Sequence, residues 1–565
     1  MKLSLFTLFI VLFFGNPNAY AQSIESIEVD LNDRIAKVET PFFGIQHQRN
    51  TYNDSNALVK LKKLELTYVR FFADPEQFNP TENEWNWGLL DQTISELKAA
   101  GYEPIPAIFQ AEDWDIGTPS NPWWNDKSNW PRWHKAVDSL VSRYADQVQW
   151  WILFDEINYL RSDRDYYMSF QTSADLYIET AERIRAIDND AIIGGPTGFS
   201  GWENGHWAAN YLLNNPKGAE LLDFISSNIF LSWNAEEATE TVLNKTIWYE
   251  EAPLEIKNRI QDKDNPLLML DAFNFSALWT LNGENWTDPR NTSHIGGITQ
   301  TLAYLHAVKG GFDLAFRWET LGGFGILRWF PAFEELPTYY NYLFLNKVIG
   351  LKKGAQLVSI STSESPIPNL PHHSTQNVDG YQVQPFAIQN EAADTLSIVL
   401  INKTADTHRR AIMDVSNQYE YEAAYLYSED RAMQNSLLPI SNTVDLNDIV
   451  IGPYSVFVAK FIKPRVTSID EIEDNSEFPS AIQITNYPNP FNPTTSIIVE
   501  LDKARAIQLT VYDLMGQKIH TLANDQFSAG RHQFTFNAVN LPSGIYLYRL
   551  QTNEAVFTRK MTLLK

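Results

Sequence analysis

Trp150-Trp151-Ile152-Leu153-Phe154-Asp155-Glu156-Ile157-Asn158-Tyr159 is the stretch that decides the fold. From Trp150 to Phe154 it carries no charge, as expected of a parallel strand buried on both faces, and it then stops at two acids. α/β barrels present catalytic groups in this way, as carboxylates at the C-terminal ends of apolar strands. A strand ending in a solvated acidic turn is the competing reading. The flanking sequence decides between the two.

Upstream, Phe42 to His47 reads as a first inner strand, Thr67 to Phe72 as a second and Pro104 to Gln110 as a third. Leu89 to Ala100, capped by Gly101, and Trp133 to Tyr144 read as the helices between them. Downstream, a helix over Ala174 to Ile187 leads to a fifth strand at Ala191 to Pro196, and Leu221 to Ser226 is a sixth. Pro266 to Asp271 makes a seventh strand that again ends in an acid. Ile298 to Val308 is a helix, and Phe312 to Trp318 followed by Glu319 is the eighth strand. Strands alternating with helices give a parallel sheet, and eight such units fit a (β/α)8 TIM barrel over residues 41–338.

Composition narrows the chemistry. The 565 residues are 44% hydrophobic and carry a net charge of −25, which repels phosphate backbones and anionic membranes and suits a neutral substrate. There is no cysteine, so disulfides, thiolate metal sites and thiol nucleophiles are excluded. The 10 histidines form no ligand-spaced cluster beyond His372-His373, so neither a metal nor another cofactor is expected. Lys2, the apolar run Leu3 to Phe14 and Ala19-Tyr20-Ala21 read as a signal peptide over 1–21, too short to span a bilayer.

Beyond the barrel, alternating segments such as Tyr381 to Ala387, Leu396 to Asn402 and Val450 to Val456 suggest an antiparallel β-sandwich over 339–463. Residues 22–40 are expected to add strand to it. Residues 464–482, with Asp470, Glu471, Glu473, Asp474 and Glu477, read as an acidic linker. A small all-β module with clustered prolines at Pro488, Pro490 and Pro493 occupies 483–565.

The ordered set Val69-Arg70-Phe71, Trp85-Asn86-Trp87, Leu90-Asp91, Ala99 to Pro106, Arg143-Tyr144, the opening strand, Ile193 to Pro196 and Asp223 to Ser226 resembles the retaining glycoside hydrolases of clan A. Family thirty-nine β-xylosidases and their relatives are the nearest likeness, over roughly Phe42 to Lys463. That resemblance implies Glu156 as general acid and base, and Asp271 at the position of the clan's nucleophilic glutamate. It also implies a sandwich packed on the barrel and completed by the N-terminal strand. Residues 483–565 resemble the C-terminal sorting domain of the type IX secretion system. This implies that secretion machinery as a partner and a secreted or surface-attached destination.

The chain departs from the clan pattern at several positions. Asp155 and Ile157 stand where Asn and Pro flank the acid, and Asn228-Ile229-Phe230 replaces His-x-Tyr after the sixth strand. Asp271 is a methylene shorter than glutamate, which moves a retaining carboxyl separation of ~5.5 Å toward the ~6.5 Å where water fits. Asp271 as nucleophile, Asp271 as water-activating base and Glu319 as substitute nucleophile all remain open.

His47, Arg49, Arg70, Gln110, Glu112, Asp155, Asn228, Trp318 and Glu319 would face the same mouth as substrate-binding groups. Trp114, in the tryptophan-rich loop through Trp124, is expected either to stack on sugar or to anchor the loop. The expected function is cleavage of β-glycosidic bonds in a plant or algal polysaccharide or its oligosaccharides. A glycan-binding barrel without catalysis is the alternative.

Overall fold

A computed structural model describes residues 23–47, 55–108, 114, 117–118, 121–155, 168–197, 211–260, 266–278, 280–281, 284–285, 287–328, 333–372, 378–413, 415, 418–440, 444–464, 483–501, 503–513, 518–552 and 556–565. The expected signal peptide and almost all of the acidic linker lie outside these residues. The chain divides into two units, Met1–Arg465 and Val466–Lys565.

The first unit contains a closed barrel. Its strands are β2 (Phe43–His47), β3 (Tyr68–Ala73), β4 (Glu103–Ile108), β5 (Trp150–Leu153), β6 (Ile192–Gly194), β7 (Phe224–Phe230), β8 (Leu267–Asn274) and β9 (Leu314–Trp318). They are hydrogen-bonded in chain order, all parallel, and β9 closes on β2. Among the helices outside them are α1 (Ser55–Lys62), α2 (Gly88–Ala100), α3 (Trp130–Tyr144), α4 (Phe170–Ile187), α5 (Trp248–Ile260), α6 (His294–Gly310) and α7 (Pro337–Phe344). α2 stops where Gly101 adopts a left-handed φ of 87°, which a glycine enters without Cβ strain.

The barrel interior holds Tyr68, Ile105, Ala107, Trp150, Ile152, Phe224, Met269, Leu314 and Phe316. Two of its large rings face glycines on the neighbouring strand, Phe316 beside Gly44 and Phe224 beside Gly194. A Cβ on Gly44 would lie 2.2 Å from the Phe316 ring, and one on Gly194 would lie 2.4 Å from that of Phe224. The missing side chains therefore make the room that the rings fill.

Two strands differ from the sequence expectation. Asn215 caps a short helix, Pro216–Leu221, with its side chain accepting from Lys217 N, so Leu221 is helical and the sixth barrel strand begins at Phe224. Asn228-Ile229-Phe230 is accordingly inside that strand and not after it. Asp223 instead accepts from Arg185 and from the Ile193 N–H. The seventh strand does not end at Asp271 but runs on to Asn274. Relative to β7, Leu270 pairs with Ser227 and Ala272 with Asn228, which makes Asp271 the extra residue of a β-bulge.

Strand β1 (Glu25–Lys37) joins β10 (Gln356–Thr362), β11 (Val383–Gln389), β12 (Thr395–Asn402), β13 (His408–Ile412), β14 (Glu420–Tyr427), β15 (Ile449–Ile451) and β16 (Ser455–Ile462). The order is β14-β16-β12-β11-β10-β1-β13-β15, one continuous eight-stranded sheet in which β1 and β13 run parallel. Ile27, Ile412 and Ile449 share a core with Leu396, Ile398 and Phe457, so the sheet curls over one apolar centre as the two faces of a sandwich do. Its other side packs on the barrel helices, with Tyr427 on Phe344 and Phe386 on His306.

The second unit has its own core, including Ile497, Val499, Leu509, Val511, Leu550 and Met561. It consists of β17 (Gln483–Tyr487), β18 (Thr494–Leu501), β19 (Arg505–Tyr512), β20 (Lys518–Phe527), β21 (Gly530–Asn537), β22 (Gly544–Thr552) and β23 (Val556–Leu563). These form a three-stranded and a four-stranded sheet. Among the described residues no helix is long and apolar enough to cross a membrane.

Candidate active site at the barrel mouth

Arg70, in the middle of β3, points into the barrel. Its Nη2 lies 2.7 Å from Asp155 Oδ1 and 3.1 Å from Asp271 Oδ2. All three groups are almost wholly withdrawn from solvent. Burial works against the guanidinium charge, but the facing carboxylates of Asp271 and Asp155 more than offset it and raise the Arg70 pKa. Two acids thus face one base at the mouth.

The backbone sets each carboxylate. Phe154, between β5 and Asp155, has φ 66°, a left-handed conformation rare for a bulky residue. The Phe154 N–H donates to Ile108 O at 3.0 Å, its carbonyl accepts from Thr197 N at 3.1 Å, and its ring stacks on Trp133 at 5.3 Å. This turn redirects the chain, so that Asp155 bridges to Thr197 and meets Arg70. Gly195, at φ 98°, allows the close approach of the next strand, because a Cβ there would lie 2.5 Å from Leu153 O. Thr197 Oγ1 donates to Asp271 Oδ2 at 3.0 Å and lies 2.9 Å from Ser226 Oγ. The bulge of β8 aims Asp271 at this cluster, which is a common use of bulges beside functional sites.

The structure thus brings Arg70, Asp155 and Asp271 together. Glu156, Gln110, Glu112 and Arg49 lie outside the described residues. His47, at the end of β2, is buried, and that burial lowers its pKa to about 3, leaving a neutral imidazole. Asn228 sits on β7 opposite Ala272. Trp318 ends β9, stacked on Phe324 at 4.4 Å and edge-on to Phe230 at 5.1 Å. Glu319 follows it with 4% exposure, and burial holds its carboxyl well above the ordinary glutamate range. Among the described residues its Oε2 has no hydrogen-bond partner.

Trp114 is a core residue. Its Nε1 donates to Asn79 O at 3.1 Å, Arg132 lies 4.3 Å from its ring centre, and Trp123 packs beside it at 5.6 Å. Trp123 and Trp124 are buried as well, so these indoles anchor the loop. Sequence reading missed Thr197 and Ser226. Ser226 stands two residues before Asn228 and so shares its face by strand periodicity, whereas Thr197 lies beyond its strand and carried no such mark.

Residues 485–563 match the family described as the secretion system C-terminal sorting domain. The C-terminal unit is a type IX sorting domain. A sorting domain marks a chain for export, to be released or held at the cell surface. Comparison with curated proteins gives no match by sequence. Among solved structures, the chain is similar to a family 51 α-L-arabinofuranosidase from Bifidobacterium longum, with 15% identity and a TM-score of 0.56 over 77% of this chain and 99% of that one. It is also similar to the glycoside hydrolase family 30 subfamily 8 xylanase Xyn30A from Clostridium acetobutylicum, at 11% identity and TM-score 0.52 over 77% and 99%. CelM2, a bifunctional glucanase-xylanase from a metagenome library, gives 14% and 0.53 over 78% and 99%. At these identities the likeness is one of fold, that of a closed eight-stranded barrel with a further β-sheet beside it.

Proposed function

We propose that the exported chain is a glycoside hydrolase that cleaves β-glycosidic bonds in a plant or algal polysaccharide or its oligosaccharides. The observation that carries this reading is the single Arg70 guanidinium holding Asp155 and Asp271 at the barrel mouth. Glycosidic cleavage passes through an oxocarbenium-like state, and carboxylates placed beside the anomeric carbon stabilise that state more than they do the neutral ground state. Glu156, next in the chain after Asp155, is the general acid, and becomes the base in a retaining enzyme. Asp271 is the nucleophile or the water-activating base, with Arg70 and Thr197 fixing its Oδ2 and, among the described residues, no hydrogen bond to Oδ1. The barrel fold common to the similar glycoside hydrolases and the motifs that resemble those of family thirty-nine support the class. The names of the similar structures make xylans, arabinosides and β-glucans the first substrates to try.

One observation favours the non-catalytic alternative. Asp271 has 0% exposure, so a sugar reaches it only if the mouth rearranges. The two readings separate when wild type, Glu156→Gln and Asp271→Asn are assayed on a polysaccharide panel. Reducing ends released by wild type, and by neither variant, are expected. Glycan binding by all three proteins with turnover by none would leave a binding barrel.

A further inference from the structure

Beside the mouth, at the end of β3 and the start of α2, lies a cavity of about 380 Å³. Its walls include Phe71, Phe72 and Phe78, and its polar groups include Asp74, Gln77 and Asn86. We propose that this cavity is a second subsite that takes a neutral sugar unit of the glycan chain cleaved at the mouth. The proposal rests on the hydrolase reading above.

Three features identify the ligand class. First, the volume lies at the low end for small-molecule pockets, roughly 300–1,000 Å³, which suits a sugar ring and is too small for a folded partner. Second, aromatic walls beside carboxamide groups match a sugar, whose C–H face is apolar and whose hydroxyls both donate and accept. Third, among the described residues no lysine or arginine lines the cavity and Asp74 does, so phosphate, sulfate and uronate groups are disfavoured.

The cavity is also built in advance. Phe78 stacks on Trp87 at 5.2 Å, and Trp87 on Trp85 at 5.2 Å, a ladder of three rings that fixes one wall. Asn86 lies between those two tryptophans in sequence, and its N–H donates to Phe78 O at 2.8 Å. Asn79 closes the intervening loop by donating from Nδ2 to Thr81 O and Glu84 O. Asp74 accepts from Glu76 N and so caps the short helical turn Pro75–Phe78. Little ordering is left for the ligand to impose.

Phe72 links the cavity to the mouth. It stands two residues beyond Arg70 on the same strand, about 7 Å at strand rise, and the Arg70 guanidinium lies 4.2 Å from its ring centre. A chain seated over Arg70 therefore reaches the cavity within a few sugar units.

Calorimetric titration of the full-length Glu156→Gln protein with xylo-, arabino- and gluco-oligosaccharides of increasing length tests the proposal. Affinity is expected to rise with length for at least one series. Both Asn86→Trp, which fills the cavity, and the double change Gln77→Ala with Asn86→Ala are expected to weaken the longest ligand at least tenfold and leave the shortest binder unchanged. Melting temperatures equal to the parent's confirm that the variants fold. Unchanged affinity for the longest ligand in both variants overturns the subsite, as does the absence of binding by any series. Turnover by the wild-type chain is a separate readout, so failure of the hydrolase reading is seen independently of the titration.

Discussion

Arg70 faces two buried carboxylates, and removing it would take a cation away from both. Breaking a buried pair from one side costs roughly 3–5 kcal/mol, so Arg70→Met is expected to melt several degrees lower and to lose activity. Arg70→Lys keeps the charge but not the planar fork, and should recover stability more than activity, which calorimetry and a rate assay on the same preparations will check. His47 and Glu319 act through pH in opposite senses. Because His47 is lowered from 6.5 to about 3 in the fold, its neutral burial contributes stability that is complete above 6.5 and is lost as pH falls toward 3. For Glu319 the folded value is raised, so the fold binds the extra proton and stability falls as pH climbs from the ordinary 4.5 through the raised value. Melting curves should therefore show His47→Gln less sensitive than wild type between pH 6.5 and 3. Glu319→Gln should match wild type near pH 4 and exceed it near pH 7; equal pH dependence in all three proteins would contradict the assigned burial.

At the scale of elements, barrel closure depends on paired choices across neighbouring strands. Gly44 faces Phe316 and Gly194 faces Phe224, so Gly44→Ala or Gly194→Ala forces an interior ring out of place, at a cost of about 1–3 kcal/mol. Urea titration of the variants is the check, and wild-type midpoints would mean that the interior repacks freely. Most of these elements were legible in the sequence because buried parallel strands are apolar throughout and α2 ends on a glycine. Strand register was less legible. Leu221-Leu222 looks like strand, but the Asn215-Pro216 start puts Leu221 in a helix, and local chemistry decided that boundary. The bulge at Asp271 is a property of pairing with β7 and β9, so no run of residues within β8 announces it. Asp155 and Asp271 were legible as acids after apolar runs. Their common partner Arg70 stood out as a cation in an apolar strand, whereas Thr197 becomes visible only once β6 lies beside β5. The tryptophan loop illustrates the opposite limit, since a sequence rich in indoles does not say whether they face sugar or, as with Trp114 and Trp123, the core.

At the scale of the molecule, the chain contains two units whose cores share no residue. Heating should give two transitions, and deleting residues 483–565 should remove one and leave the barrel's unchanged; a single transition lost as a whole on deletion would show that the units fold together. The same deletion is expected to abolish export, read as retention of the truncated chain in the cell fraction. The tail was the most legible part of the sequence because its resemblance to a sorting domain lies in one contiguous stretch, whereas the mouth draws on residues from His47 to Glu319. In the proposed hydrolase Glu156 protonates a leaving group while Asp271 acts at the anomeric carbon or on the attacking water. The most direct measurement compares kcat/KM on an oligosaccharide with that on an aryl glycoside whose leaving group needs no acid, for wild type and both variants. Glu156→Gln is expected to lose about 10²–10⁴-fold on the oligosaccharide and far less on the activated glycoside, with Asp271→Asn losing both. Equal losses by Glu156→Gln on the two substrates, or wild-type turnover by Asp271→Asn, would contradict it.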